Sequence, residues 1–362
     1  MGTPTRVVVL PQEQGPLRVE DIILPDPGPT QVIVKQFASG ICHSQLHQMH
    51  RPRKTPVILG HESTGVVLKT GSNVHHVKEG DTVLVTWVPR NTAKAENPPA
   101  GVTLDVSEGA ARTEGVFIWA DHTLADQQYV VNVDPDIKKD VTSIIGCAVM
   151  TGVGAVISTA KVRPGQSVAI FGVGGVGLSA VVGAKKVGAH PIIAVDLDDE
   201  KLDFAKKFGA TIGINASKED PVKAIHKLTP GLGYNMRGKP ITGADFTFDC
   251  IGIKKTMEQI VPACRAGQLG GLSGGVAILV GIPTTPVELM AADVLINEKT
   301  LKGSLGGSSV PDRDFPMFLQ WHKDGDLDLD AMITERYTID QINEATTALE
   351  NGQIKGRAIL EF

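Results

Sequence analysis

The stretch Ser167-Val168-Ala169-Ile170-Phe171-Gly172-Val173-Gly174-Gly175-Val176-Gly177 decides the fold. Ser167–Phe171 is a continuous apolar run of strand type, and Gly172–Gly177 fits Gly-x-Gly-x-x-Gly just before the helical pattern Gly177–Val187. In a chain with 40 glycines the pattern alone is weak. Between a strand and a helix, however, each glycine has a physical reason: one permits a tight turn, one lets backbone approach a pyrophosphate, and one permits close helix–strand packing. The unpaired N–H groups and positive dipole end of the helix then favour phosphate. The pattern predicts a dinucleotide site built on Gly172, Gly174, Gly175, Val176 and Gly177. Asp196 closes the next apolar run, about 20 residues further on, where a carboxylate reads the ribose hydroxyls and repels a 2′-phosphate. Leu197-Asp198-Asp199-Glu200 offers no arginine for such a phosphate, so NAD is expected over NADP. Lys201 is a further candidate for the ribose, with a solvated helix lysine as the alternative.

Outward from this unit, Pro191–Val195, Ala244–Cys250 and Val276–Gly281 are apolar runs, separated by helical patterns at Lys201–Gly209 and Thr256–Cys264. Strands without polar alternation, divided by helices, predict a parallel sheet covered on both faces, over residues 149–307. Upstream, Thr5–Leu10, Leu17–Leu24, Gln31–Gln36, Thr64–Lys69 and Thr82–Thr86 are short Val/Ile-rich runs between turn clusters, which predict a barrel-like β domain. After residue 307, helices are expected at Pro316–His322 and Ile339–Glu350 and a strand at Gly356–Phe362. This tail (308–362) is expected to pack back on residues 1–148, making the nucleotide domain an insertion.

The 35 Lys and Arg against 40 Asp and Glu give a charge of −5, without a basic tract, so nucleic acid and anionic membranes are not expected partners. No apolar run approaches the ~18 residues of a membrane span, and no signal-peptide pattern follows Met1. A cytoplasmic location is expected, where the four cysteines stay reduced.

Two of those cysteines, Cys42 and Cys147, join His61 and the neighbouring Glu62 in a set that suits metal chemistry. Two thiolates and an imidazole make a soft tetrahedral site for zinc, with its fourth position open. Spacing alone leaves open that both cysteines are small buried residues and His61 a satisfied core histidine. Cys250 and Cys264 have no base nearby and are read as core residues. His75, His76 and His122 are expected in exposed turns, and Gly267–Gly275 as a flexible loop.

Taken together, Gly40-Ile41-Cys42, Gly60-His61-Glu62, Gly146-Cys147, the glycine motif with Asp196 and the Arg357–Phe362 ending resemble the zinc-dependent medium-chain alcohol dehydrogenase family. The resemblance covers nearly the whole chain and implies an α/β architecture: a GroES-like β-barrel catalytic domain plus a Rossmann domain. It implies that Cys42, His61 and Cys147 bind catalytic zinc and that Glu62 lies close behind it, with a transient ligand role open. It also implies a proton relay from Ser44 to His47 through the nicotinamide ribose. A turn hydroxyl and a surface histidine are the alternatives. His43 and Arg357 fall near the cofactor pyrophosphate, and Val280 joins the cofactor set. Arg357 has a strand-capping role as its alternative. Trp87 matches a pocket position that favours apolar or aromatic substrates, with a packing tryptophan as the alternative. Ile282, Leu305 and Trp119 are weaker pocket candidates.

Three departures from the family stand out. The segment Asn91–Asp105 lacks the four cysteines of a second, structural zinc, so one zinc ion per chain is expected. Gln45 replaces an aspartate that supports the zinc-binding histidine, and is expected to orient His61 through its carbonyl. His43 stands where relatives often carry a fixed cation. The expected function is hydride transfer between NAD and a primary or aromatic alcohol/aldehyde pair, in a homodimer or homotetramer. Thiol-dependent formaldehyde oxidation and a catalytically inactive NAD-binding structural or regulatory protein are the alternatives.

Overall fold

The computed structural model describes residues 2–94, 97–113, 115–268 and 270–362. Ala95 and Glu96, within the segment expected to lack a metal, and Leu269, within the glycine-rich loop, lie outside the described residues. The chain forms two compact units, Met1–Ala148 with Val310–Phe362, and Val149–Ser309.

In the first unit the Val/Ile-rich runs become strands. Five pair in the order Arg18–Leu24, Thr3–Leu10, Val57–Ile58, Gly109–Thr113, Thr103–Val106. A larger sheet runs Val130–Asn132, Thr82–Thr86, Glu62–Thr70, Gln31–Ile41, Arg357–Glu361, Ile333–Thr338, and His122–Asp126 also pairs with Gln31–Ile41. Val7, Val9 and Ile58 of the first sheet meet Ile33 and Leu124 of the second around Phe117, all at most 2% exposed, so the sheets close over one barrel-like core. Each such side chain stabilises the fold by about 1.5–3 kcal/mol.

The second unit is a six-stranded parallel sheet in the order Ile212–Asn215, Ile192–Asp196, Val168–Phe171, Phe246–Asp249, Val276–Leu279, Thr300–Gly303. Its central strand Val168–Phe171 is buried at every position, which is why the run carries no polar alternation. Strand order reverses beside it. The crevice at the carboxyl ends of Val168–Phe171 and Phe246–Asp249 is where such sheets bind ligands. Helices Gly175–Lys186 and Asp199–Phe208 pack as one pair, Pro221–Leu228 and Lys254–Ala263 as another.

Several local expectations are corrected. Ile339–Glu350 is a 3-10 turn, Ile339–Gln341, followed by helix Ile342–Glu350. Ile333–Thr338 is a strand that no apolar pattern announces, because its partner Arg357–Glu361 supplies the pairing. His122 lies on strand His122–Asp126 opposite Lys35 and is half-buried rather than in an exposed turn. His76 is also half-buried, with Nε2 2.9 Å from the Val130 carbonyl, whereas His75 is exposed.

Candidate metal centre and nucleotide site

Strand Gln31–Ile41 runs straight into Cys42, the N-cap of helix His43–His50. Ser39 pairs with Ser63, so the same register brings His61 beside the end of that strand. Strand Thr82–Thr86 meets Glu62 through Thr86, and the Thr86 hydroxyl donates to the Gly146 carbonyl at 2.6 Å. That bond fixes the turn ending in Cys147. The three segments bring the Cys42, His61 and Cys147 donor atoms within 4.8 Å of one another. Thr86 escaped the sequence reading, because its place opposite Glu62 is set by strand register, which the sequence does not display.

Behind the triad, Glu62 is fully buried and paired with the Arg357 guanidinium, itself only 5% exposed. The other Glu62 oxygen accepts the Ala148 N–H at 3.2 Å, next to Cys147. A Cβ on Gly40 would stand 2.3 Å from Glu62 Oε1, so only glycine fits there. Arg357 is aimed at this carboxylate and lies beside Ile41 through the pairing of Ala358. Burial raises the Glu62 pKa, while the Arg357 charge pulls it back.

The donor set fits a zinc ion. His61 Nε2 is buried without a hydrogen-bond partner among the described residues, while Nδ1 is engaged by Gln45. A hydrogen bond from Cys147 holds the Cys42 thiol well below its ordinary value, against its burial. The same contact, with burial, pushes Cys147 up. A metal-binding thiolate pair must shed both protons, which a bound cation would favour. Gln45 faces His61 with its carboxamide nitrogen, whereas its carbonyl is taken by the Cys42 N–H at 2.9 Å, contrary to the expected carbonyl contact.

Ser44 and His47 lie three residues apart on helix His43–His50, hence on one face. Ser44 Oγ and His47 Nδ1 are both buried without a partner among the described residues. Burial, with Arg51 and His50, lowers the His47 pKa from 6.5, Cys42 opposing. His43 is exposed at the start of the helix. Trp87 follows Thr86, so the register sets it across from His61; it is half-buried and its indole N–H has no partner among the described residues. Trp119, by contrast, is fully buried in the core and donates to the Gly40 carbonyl at 3.3 Å, so it lines no pocket.

In the second unit Gly172 turns the chain with φ +84°, and a Cβ on Gly177 would sit 1.8 Å from the Gly172 carbonyl oxygen. A Cβ on Gly174 would meet nothing within 4 Å, leaving open space over the loop. Gly175 and Val176 begin helix Gly175–Lys186. Asp196 ends its strand, and its carboxylate accepts the Val173 N–H at 3.0 Å and the Leu197 N–H at 2.8 Å, which ties the glycine loop to the next strand. Lys201 is half-buried on the following helix. Val280 donates its N–H to the Asp249 carbonyl at 3.0 Å. Ile282 and Leu305 are 42% and 81% exposed. Cys264 is core, its thiol pushed up to about 11 by burial. Cys250 is half-buried after strand Phe246–Asp249, a partial correction to its core reading, and burial raises its thiol too.

Sequence comparison matches residues 28–136 to the Alcohol dehydrogenase GroES-like domain and residues 175–324 to the Zinc-binding dehydrogenase family. The alcohol dehydrogenase class-3 of Cereibacter sphaeroides is 32% identical over 379 aligned positions, covering 96% of this chain and 97% of the relative. The S-(hydroxymethyl)glutathione dehydrogenase of Paracoccus denitrificans is 31% identical, at 96% and 97% coverage. The benzyl alcohol dehydrogenase structure from Acinetobacter calcoaceticus superposes with a TM-score of 0.86 at 27% identity, over 99% of both chains. With its GroES-like β unit and its Rossmann sheet, the chain belongs to the zinc-dependent alcohol dehydrogenases of the medium-chain dehydrogenase/reductase superfamily, oxidoreductases acting on CH–OH groups.

Proposed function

We propose that the chain transfers hydride between NAD and a primary or aromatic alcohol/aldehyde pair, using one zinc ion held by Cys42, His61 and Cys147. The convergence of two thiols and an unpartnered imidazole nitrogen carries this reading. Bound there, zinc supplies Lewis acidity toward the substrate oxygen, and the nicotinamide supplies the hydride acceptor.

The remaining work belongs to the chain's own side chains. Ser44 Oγ, buried and unpartnered among the described residues, takes the proton of the substrate hydroxyl. His47, on the same helix face and favoured in its neutral form by burial, is the base at the outer end of that relay. Glu62 and Arg357 balance charge behind the triad. Asp196 reads the adenosine ribose, and the carboxylates at 196, 198, 199 and 200 favour NAD over NADP by repulsion of a 2′-phosphate. Trp87 supports an apolar or aromatic substrate, in keeping with the benzyl alcohol dehydrogenase likeness. The absence of cysteine from Asn91–Asp105 supports a single zinc.

Thiol-dependent formaldehyde oxidation is a second reading, favoured by the S-(hydroxymethyl)glutathione dehydrogenase likeness. The exposed outer strand Thr300–Gly303 supports a homodimer or homotetramer. Reduced cysteines support a cytoplasmic location, and no helix among the described residues is long and apolar enough to cross a membrane. The test is the zinc-to-protein ratio measured alongside NAD-coupled turnover of an alcohol panel, with and without glutathione. One zinc per chain and turnover of benzyl-type alcohols without thiol are expected. Turnover of formaldehyde alone, and only with glutathione, would favour the second reading.

A further inference from the structure

Gln45 sits between the segments that carry Cys42 and His61, and it is 1% exposed. As the third residue of helix His43–His50, its carboxamide oxygen accepts the Cys42 N–H at 2.9 Å. Its carboxamide nitrogen lies against His61 Nδ1. One side chain thus straps two of the three donors of the triad, one through the backbone and one through the ring.

The chemistry of this strap is one-sided. A backbone N–H only donates, so Cys42 holds the carboxamide oxygen on its own side. What is left for His61 is an NH2 group, also a donor. A donor at Nδ1 suits the tautomer that carries its hydrogen on Nε2, the atom left for the triad. A ligating Nε2 must give up that hydrogen, which then sits on Nδ1 and points at the NH2 group. Turning the carboxamide over satisfies Nδ1–H but sets the NH2 against the Cys42 N–H. In either orientation two buried donors share one acceptor, and an unmatched buried donor costs free energy. A carboxylate of the same shape has an acceptor for each.

We propose that Gln45 is a positioning residue that loosens the metal: it keeps Cys42 and His61 in register, yet leaves one N–H unmatched when His61 ligates. The inference rests on the triad being the zinc site. Its test is zinc content over time after the zinc-loaded full chain is mixed with excess pyridine-2,6-dicarboxylate, for natural protein, Gln45→Glu and Gln45→Met. Gln45→Glu should retain zinc roughly 10–100-fold longer, and in cobalt-loaded protein its visible ligand-field band should shift. Gln45→Met keeps the bulk, straps neither ligand, and should release zinc faster than natural protein. Release from folded Gln45→Glu at the natural rate overturns the inference and leaves the triad as the zinc site. Natural protein that takes up no zinc overturns both. If Gln45→Glu does not fold, release from Gln45→Met no faster than natural overturns the inference.

Discussion

Arg357 and Glu62 share a space with almost no water, so losing one strands the other's charge. Breaking such a pair costs about 3–5 kcal/mol. Arg357→Met should therefore lower stability by that order in urea unfolding, and Glu62→Gln added to it should recover much of the loss; an unchanged midpoint in the single variant refutes the pair's role. At His47 the sign is equally definite. Its folded pKa lies below 6.5, so the neutral form is favoured and the acid limb of kcat should fall on the acid side of 6.5. The same preference adds stability above the unfolded value, which is lost as pH falls through the folded one. His47→Gln should lower kcat on the order of 10²-fold and abolish the limb; a pH–rate profile that keeps it counts against the relay. The donor types of the triad were legible in the sequence, but their meeting was not. Spacing alone does not separate Cys42 from Cys264; the family resemblance did, and the register of Ser39 with Ser63 and Glu62 with Thr86 supplies the physical reason that Cys42 meets His61 and Cys147. Trp87 and Trp119 are likewise alike as letters, yet the first is half-buried just past strand Thr82–Thr86 and the second is fully buried.

Among elements, the parallel sheet was the most legible. Its central strands Val168–Phe171 and Phe246–Asp249 are buried at every position, and that burial writes itself as unbroken apolar runs, whereas the partly exposed outer strands Ile212–Asn215 and Thr300–Gly303 carry no such run. The hairpin Pro230–Tyr234 with Pro240–Thr242 left no such mark, because all five residues of its first strand are exposed and select for nothing apolar. Replacing Gly231–Lys239 by a two-residue turn should accordingly leave Tm within a few degrees (about 1 kcal/mol) in calorimetry, since Ile241 and the His226–Thr242 contact are kept. A collapse of the melting transition would show the hairpin to be structural. Asp196 acts between elements, joining the glycine loop to the next strand. Asp196→Ala should weaken NAD and narrow the gap to NADP in titration calorimetry; an unchanged preference would refute its role.

For the whole molecule, the two ligands expected here belong to different units. Hydrogen exchange should register zinc as slowed amides around Cys42–His50, Glu62–Thr70 and Cys147, and NAD as slowed amides around Gly172–Leu178 and Leu197, each by linkage. Zinc protection centred on the glycine loop would contradict the assignment of sites. The return of residues 308–362 to the β unit was legible from the change in pattern, whereas the depth of that return was not. Strand Arg357–Glu361 is interior to its sheet, between Gln31–Ile41 and Ile333–Thr338, and it delivers Arg357 to a carboxylate 295 positions earlier. This bears on biosynthesis. A chain emerging from the ribosome N-terminus first exposes Cys42, His61 and Cys147 long before the strand that braces them has been translated. The nucleotide unit, continuous from Val149 to Ser309, is complete earlier. A nascent chain halted before residue 357 therefore already holds all three donors of the triad but leaves the buried Glu62 carboxylate without its guanidinium partner.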